Sequence, residues 1–179
     1  MATIEEKLKD IEARFGVTLH GHQSQTLKAL ATGRSVILHV PTGGGKTLNF
    51  QAAPSVVPHP GIAVILYPLR ALVKDQTRRF KELSIPSVTL YGETKTKGRP
   101  EILDQIKNGT ATHLLTTPES FDKNRRLQDA LRSRGVSLLV VDEPTPTRSG
   151  LMGSGPPTDA PATSPRRSAL SSSFSVRRR

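Results

Sequence analysis

The sequence predicts an α/β fold: a parallel sheet with helices on both faces. Three observations carry this. Five short apolar runs, at 35–40, 62–67, 87–91, 112–116 and 136–142, are continuous rather than alternating, as strands buried on two faces should be. Segments of helical period separate them. A glycine-rich turn follows the first run directly and opens into Lys46-Thr47, the strand–turn–helix junction of such folds.

The elements follow in order. Thr3 and Glu6 have the spacing of a capping box, and Ile4, Leu8, Ile11 and Phe15 then form a helical stripe. Residues 22–32 read as a second helix. Beyond the first strand, helices are expected over about 46–53, 70–83, 100–108 and 123–133, alternating with the remaining strands. There is no internal repeat.

The chain has 179 residues, enough for one domain with a real core and a tail. Its formal charge of +11 favours polyanionic partners, nucleic acid first. It contains no cysteine, which excludes disulfides, thiolate metal sites and cysteine nucleophiles. No apolar run approaches the roughly 18 residues that span a bilayer. MATIEEKLKD lacks an apolar signal core, so the expectation is an intracellular protein without membrane contact. Nothing in the sequence indicates the oligomeric state.

Composition changes at about residue 143. Residues 1–143 carry 20 basic and 14 acidic side chains; residues 144–179 carry six Arg and one Asp. Seventeen of those last 36 residues are Pro, Ser or Gly. The expectation is a folded unit over 1–143 and a disordered basic tail over 144–179.

Pro41-Thr42-Gly43-Gly44-Gly45-Lys46-Thr47 is a candidate phosphate loop. Glycines let backbone N–H groups approach phosphate oxygens. Lys46 would neutralise the β- and γ-phosphates of ATP, and Thr47 would hold Mg²⁺. Such a loop needs acids at the end of another strand, and Val140-Val141-Asp142-Glu143 supplies them. Asp142 would bind Mg²⁺, and Glu143 would polarise the attacking water.

Taken together, these motifs resemble the first RecA-like lobe of superfamily 2 helicases, most closely the RecQ-type DNA helicases. PTGGGKT resembles motif I, YPLRALVKDQ (67–76) motif Ia, TTPES (116–120) motif Ib and VVDE (140–143) the start of motif II. FGVTLHGHQ (15–23) is similar to the adenine-reading element, with Gln23 at the glutamine and His20 where the family usually has Arg. The resemblance covers about residues 12–143. It implies ATP-dependent 3′–5′ DNA unwinding and, in a eukaryote, a nuclear location. It implies that Pro68, Leu69 and Arg70, with Thr117, Pro118 and Glu119, lie near the phosphates of one DNA strand, at a single strand or a single/double-strand junction. Read locally, Thr117-Pro118-Glu119 would equally start and cap a helix. Lys74, Arg78 and Arg79 could be contacts or a solvated helix face.

After Glu143 the resemblance stops. A one-base shift of frame from Pro144, with synonymous codons chosen to fit, turns PTPTRSGLMGSGP into AHTYSEWAHGFRP. That completes an Asp-Glu-Ala-His box followed by an aromatic-rich loop of the RecQ kind, so the tail is expected to be frame-shifted. The resemblance then implies that motif III and the second lobe, with its arginine finger, are missing, and that the chain turns over ATP near background. It also implies an incomplete sheet, lacking the strand between 35–40 and 136–142. Closing that gap would pull Asp142 and Glu143 out of register with Lys46 and Thr47. Two other functions fit the residues: a superfamily 2 RNA helicase fragment, and a non-catalytic basic fragment whose nucleic-acid binding ignores ATP.

Overall fold

The computed structural model describes residues 2–41, 43–92, 99–143 and 171–177, with backbone alone for Arg99, Glu143 and 171–177. Helix α1 (Ile4–Phe15) starts at the anticipated capping box. The Thr3 hydroxyl accepts from the Glu6 N–H at 3.2 Å, and the Glu6 carboxylate accepts from the Thr3 N–H at 2.6 Å. Leu8 and Ile11 bury its apolar stripe. Helix α2 (Gly21–Ala31) leads into strand β1 (Val36–Pro41), and helix α3 (Lys46–Ala52) runs into a 3₁₀ turn at Ala53–Ser55.

The alternation continues through β2 (Ile62–Leu66), α4 (Arg70–Glu82), β3 (Ser87–Leu90), α5 (Arg99–Lys107) and β4 (His113–Thr116). The helix expected over 123–133 is α7 (Arg125–Arg134), and the helix start read at Thr117-Pro118-Glu119 is a short separate helix, α6 (Pro118–Lys123). Asn124 divides them, because its side-chain oxygen caps the second by accepting from the Leu127 N–H at 3.0 Å. Strands β5 (Val136–Glu143) and β6 (Ser171–Arg177) complete the sheet.

The strand order is β1-β6-β5-β2-β4-β3. The stretch β5-β2-β4-β3 is parallel throughout, and helices cover it on both faces as expected. One core holds Leu27, Phe50, Val73 and Phe80 from α2, α3 and α4 against Ile65 and Val140. The other holds Ile106, Leu127 and Leu131 from α5 and α7 against Ile62 and Val64. Strands β2 and β4 are accordingly buried on both faces. Strand β1 is not: Leu38 and Val40 face the first core while Ile37 is 80% exposed. The helices of the second layer pack over β2–β4 and, among the described residues, stop short of β1.

Two expectations are corrected here. The gap between β1 and β5 does not stay open, because Ser171–Arg177 fills it, antiparallel to both neighbours. The tail therefore contributes a strand at 171–177, where disorder was expected; residues 144–170 lie outside the described residues. With a strand between them, β1 and β5 keep their ends in register, and Lys46 still reaches Asp142 at 3.1 Å. Backbone pairing needs only regular N–H and C=O groups, so a Ser-rich segment without an apolar period can satisfy two strand edges.

His113 on β4 ties the first core together. It is 2% exposed, one ring nitrogen lies 3.2 Å from the Phe50 carbonyl of α3, and Phe80 packs edge-on against the ring. Burial is the main cause that lowers its pKa from 6.5 to about 4. Between pH 6.5 and 4 the unfolded chain takes up a proton that the folded chain refuses. Stability is therefore complete above the unfolded value and falls as pH drops through this window, by up to about 3 kcal/mol. Urea melts at pH 7 and pH 4.5 should show this loss, and His113→Gln should remove that part of it.

Candidate nucleotide site and nucleic-acid cleft

The candidate phosphate loop is a tight turn at the end of β1. The Gly44 N–H donates to the Pro41 carbonyl at 2.9 Å. Gly43 and Gly45 take φ of 84° and 73°, where an L side chain is strained. A Cβ at Gly45 would stand 2.5 Å from Gln23 Nε2. The positive φ is what favours glycine there, and the Gln23 side chain from the start of α2 fills the space a Cβ would take.

That closure is made by hydrogen bonds. Gln23 Nε2 donates to the Gly45 carbonyl at 2.8 Å, and Gln23 Oε1 accepts from the His20 N–H at 2.8 Å. His22 Nε2 lies 2.8 Å from the Gly44 carbonyl, and its ring stacks with His20 at 5.7 Å between centroids. Sequence reasoning placed Gln23 beside the nucleotide but missed His22. The available signal was its position in the first turn of α2, one residue before Gln23.

Lys46 opens α3 and crosses to the end of β5, where Nζ stands 3.1 Å from Asp142 Oδ1. The two side chains are 19% and 13% exposed. The contact is an ion pair rather than a hydrogen bond, and Asp142 Oδ1 has no hydrogen-bond partner among the described residues. A cation beside a buried acceptor with unused capacity, next to a loop that only glycines can form, fits a triphosphate with a divalent ion. Thr47 follows on α3 and is half-buried. Thr42 lies outside the described residues. Glu143 continues β5 past Asp142, and its side chain is not described.

The other residues singled out in the sequence meet at a second place. A cavity of about 780 Å³ opens between the N-terminus of α4, the end of β3 and helices α5, α6 and α7. Arg70 lines it from α4 and Glu119 from α6. The Arg70 charge is among the causes that lower the Glu119 pKa, after the Lys123 contact. The two segments thus share one cleft. Lys107, Lys123 and Arg126 add positive charge, against Asp104 and Glu119. Sequence reasoning missed these three cations, because they come from separate helices and carry no common motif.

Leu69 is 56% exposed beside the cleft, and Pro68 precedes it. Thr117 caps α6: its hydroxyl accepts from the Ser120 N–H at 3.2 Å, with Pro118 at the first helical position. The local reading of Thr117-Pro118-Glu119 as a helix start therefore holds. Arg78 pairs with Asp75 and Glu82, and Arg79 with Asp75. Those pairs make a solvated face of α4. No described helix is long and apolar enough to cross a membrane.

The family model of the DEAD/DEAH box helicases matches residues 20–146. The chain is 31% identical over 150 residues to the RecQ-like DNA helicase blm-1 of Caenorhabditis elegans, covering 79% of this chain and 15% of that protein. It is 34% identical over 125 residues to the ATP-dependent DNA helicase Q-like 5 of Arabidopsis thaliana, covering 68% of this chain and 13% of that one. The fold is similar to that of the DUF1998 helicase MrfA, solved bound to DNA, with a TM-score of 0.55 and 23% identity over 68% of this chain and 18% of that one.

Proposed function

We propose, since the chain belongs to the DEAD/DEAH box helicase family, that it is the ATP-binding lobe of a RecQ-like, ATP-dependent 3′–5′ DNA helicase. The observation that carries this reading is the Lys46–Asp142 pair across the phosphate loop, with Gln23 bonded to the same loop. In this reading the loop from Thr42 to Gly45 wraps the phosphates with backbone N–H groups. Lys46 neutralises the β- and γ-phosphates, and Gln23 reads the adenine edge. Thr47 and Asp142 hold Mg²⁺, which supplies charge neutralisation at the phosphates. Glu143 orients the attacking water and accepts its proton.

The cleft under Arg70 takes the phosphates of a DNA single strand, or of a junction. Four cations against two acids favour a polyanion without reading bases. A DNA rather than RNA substrate is supported by the relatives, whose names describe DNA helicases. The chain spans only 15% and 13% of those two relatives. For these 179 residues by themselves the proposed activity is nucleotide and DNA binding, with turnover near background and no strand separation. The location is intracellular, and nuclear in a eukaryote.

Fluorescence anisotropy with labelled single-stranded DNA and RNA, with and without a non-hydrolysed ATP analogue, tests this. DNA binding that responds to the analogue and weakens in Arg70→Glu supports it. Binding that prefers RNA, or ignores the nucleotide, overturns the DNA-helicase reading.

A further inference from the structure

Beside the candidate phosphate site stands the first residue of the motif Ia-like run, to which neither the motifs nor the family match gives a role at the nucleotide. Tyr67 is the residue immediately after β2, and it is 1% exposed. In the parallel register of β2 and β5, Leu66 faces Val141. The next positions on the two chains are Tyr67 and Asp142. Ala63 and Ile65 on β2 and Leu138 and Val140 on β5 all point into the first core. By the two-residue alternation of strands, Tyr67 and Asp142 lie on that same face. Tyr67 belongs to this core, and its ring packs edge-on against Phe50 of α3.

Two residues of complementary chemistry therefore occupy adjacent positions on one face, and each has a buried polar atom without a hydrogen-bond partner among the described residues: the Tyr67 hydroxyl and Asp142 Oδ1. Buried polar atoms are seldom left unpaired, and those that are need a reason. The Asp142 charge is felt at the phenol, where it is the second cause, after burial, that raises the Tyr67 pKa. Lys46 occupies Oδ1 by charge alone, without a hydrogen bond.

We infer that Tyr67 is a positioning residue for the Asp142 carboxylate, its phenol O–H being the donor that orients Oδ1 when Lys46 turns to a bound triphosphate. A donor at that oxygen replaces the lost ion-pair contact. The second carboxylate oxygen of Asp142 would then be available to hold the metal ion. The inference rests on the nucleotide-site reading above.

The test is equilibrium binding of a fluorescent ATP analogue to the full chain, with and without Mg²⁺. Tyr67→Phe should weaken binding about tenfold in Mg²⁺, as expected for loss of a hydrogen bond to a charged group, and leave Mg²⁺-free binding unchanged. The double variant Tyr67→Phe/Asp142→Asn should bind no more weakly than Asp142→Asn alone. Equal loss with and without Mg²⁺, or additive losses in the double variant, would overturn the inference. A second readout covers a poorly folded Tyr67→Phe. The chain has two tyrosines and no tryptophan, so a Tyr91→Phe chain reports Tyr67 alone in the near ultraviolet. Its spectrum should shift on adding Mg²⁺ and nucleotide, and Asp142→Asn should abolish the shift. No shift in the Tyr91→Phe chain would count against the inference. If Lys46→Ala leaves nucleotide binding intact, the nucleotide-site reading itself fails; if Lys46→Ala abolishes binding and Tyr67→Phe does nothing, only the role of Tyr67 fails.

Discussion

Lys46→Ala is expected to weaken nucleotide binding about 100-fold, the equivalent of one strong charge-assisted hydrogen bond. Two effects add. The variant removes the cation that meets the phosphates at the mouth of the loop. It also leaves Asp142, 13% exposed, without its ion-pair partner, so negative charge at the site is no longer offset where a triphosphate must approach. Gln23 and the loop glycines remain, because their hydrogen bonds do not involve the lysine side chain. The loss should therefore fall on affinity for the triphosphate more than on affinity for the nucleoside. Calorimetric titration with ATP and with adenosine separates the two. Affinity for ATP within about threefold of the parent chain, under half of one tenfold step in free energy, would contradict the assignment of Lys46.

Removing residues 171–179 is expected to abolish cooperative folding. Strand β6 pairs with six residues of β1 and with five of β5. Without it, both neighbours present unpaired backbone groups in the middle of the sheet. Each unmet buried group costs about 1–3 kcal/mol, against a total stability of about 5–15 kcal/mol. A handful of such groups exceeds the margin. The truncated chain should lose its sharp thermal transition by circular dichroism and should aggregate through the exposed strand edges. Amide exchange offers a direct view: protection at Val36–Val40 and Leu139–Glu143 should collapse together. A truncated chain that keeps a cooperative transition at the parent temperature would show that β6 does not support the sheet.

Much of the site could be read along the chain because its signals are local. The capping box at Thr3 and Glu6, the glycine turn before Lys46 and the cap at Thr117 each depend on residues a few positions apart. Short-range sterics and hydrogen bonding decide such features wherever they occur. The run at 62–66 is apolar throughout because helices cover both its faces, and that too shows in one segment. The two short helices on either side of Asn124 were legible for the same reason, one from its Thr-Pro-Glu start and the other from its helical period.

What the sequence by itself determined is the fold class, the order of the elements through β5, and a candidate phosphate loop with an acidic strand end as its candidate partner. The tertiary structure alone decided which segments became neighbours. It placed the tail strand between β1 and β5, where no apolar period announced it, because strand pairing is made by backbone groups that every residue carries. It gathered Arg70, Lys107, Lys123 and Arg126 from separate helices into one cleft. It set Tyr67 next to Asp142, 75 positions along the chain, through the register of β2 on β5. Register is a property of two strands together, settled by the packing of both cores, and no pattern within either strand contains it.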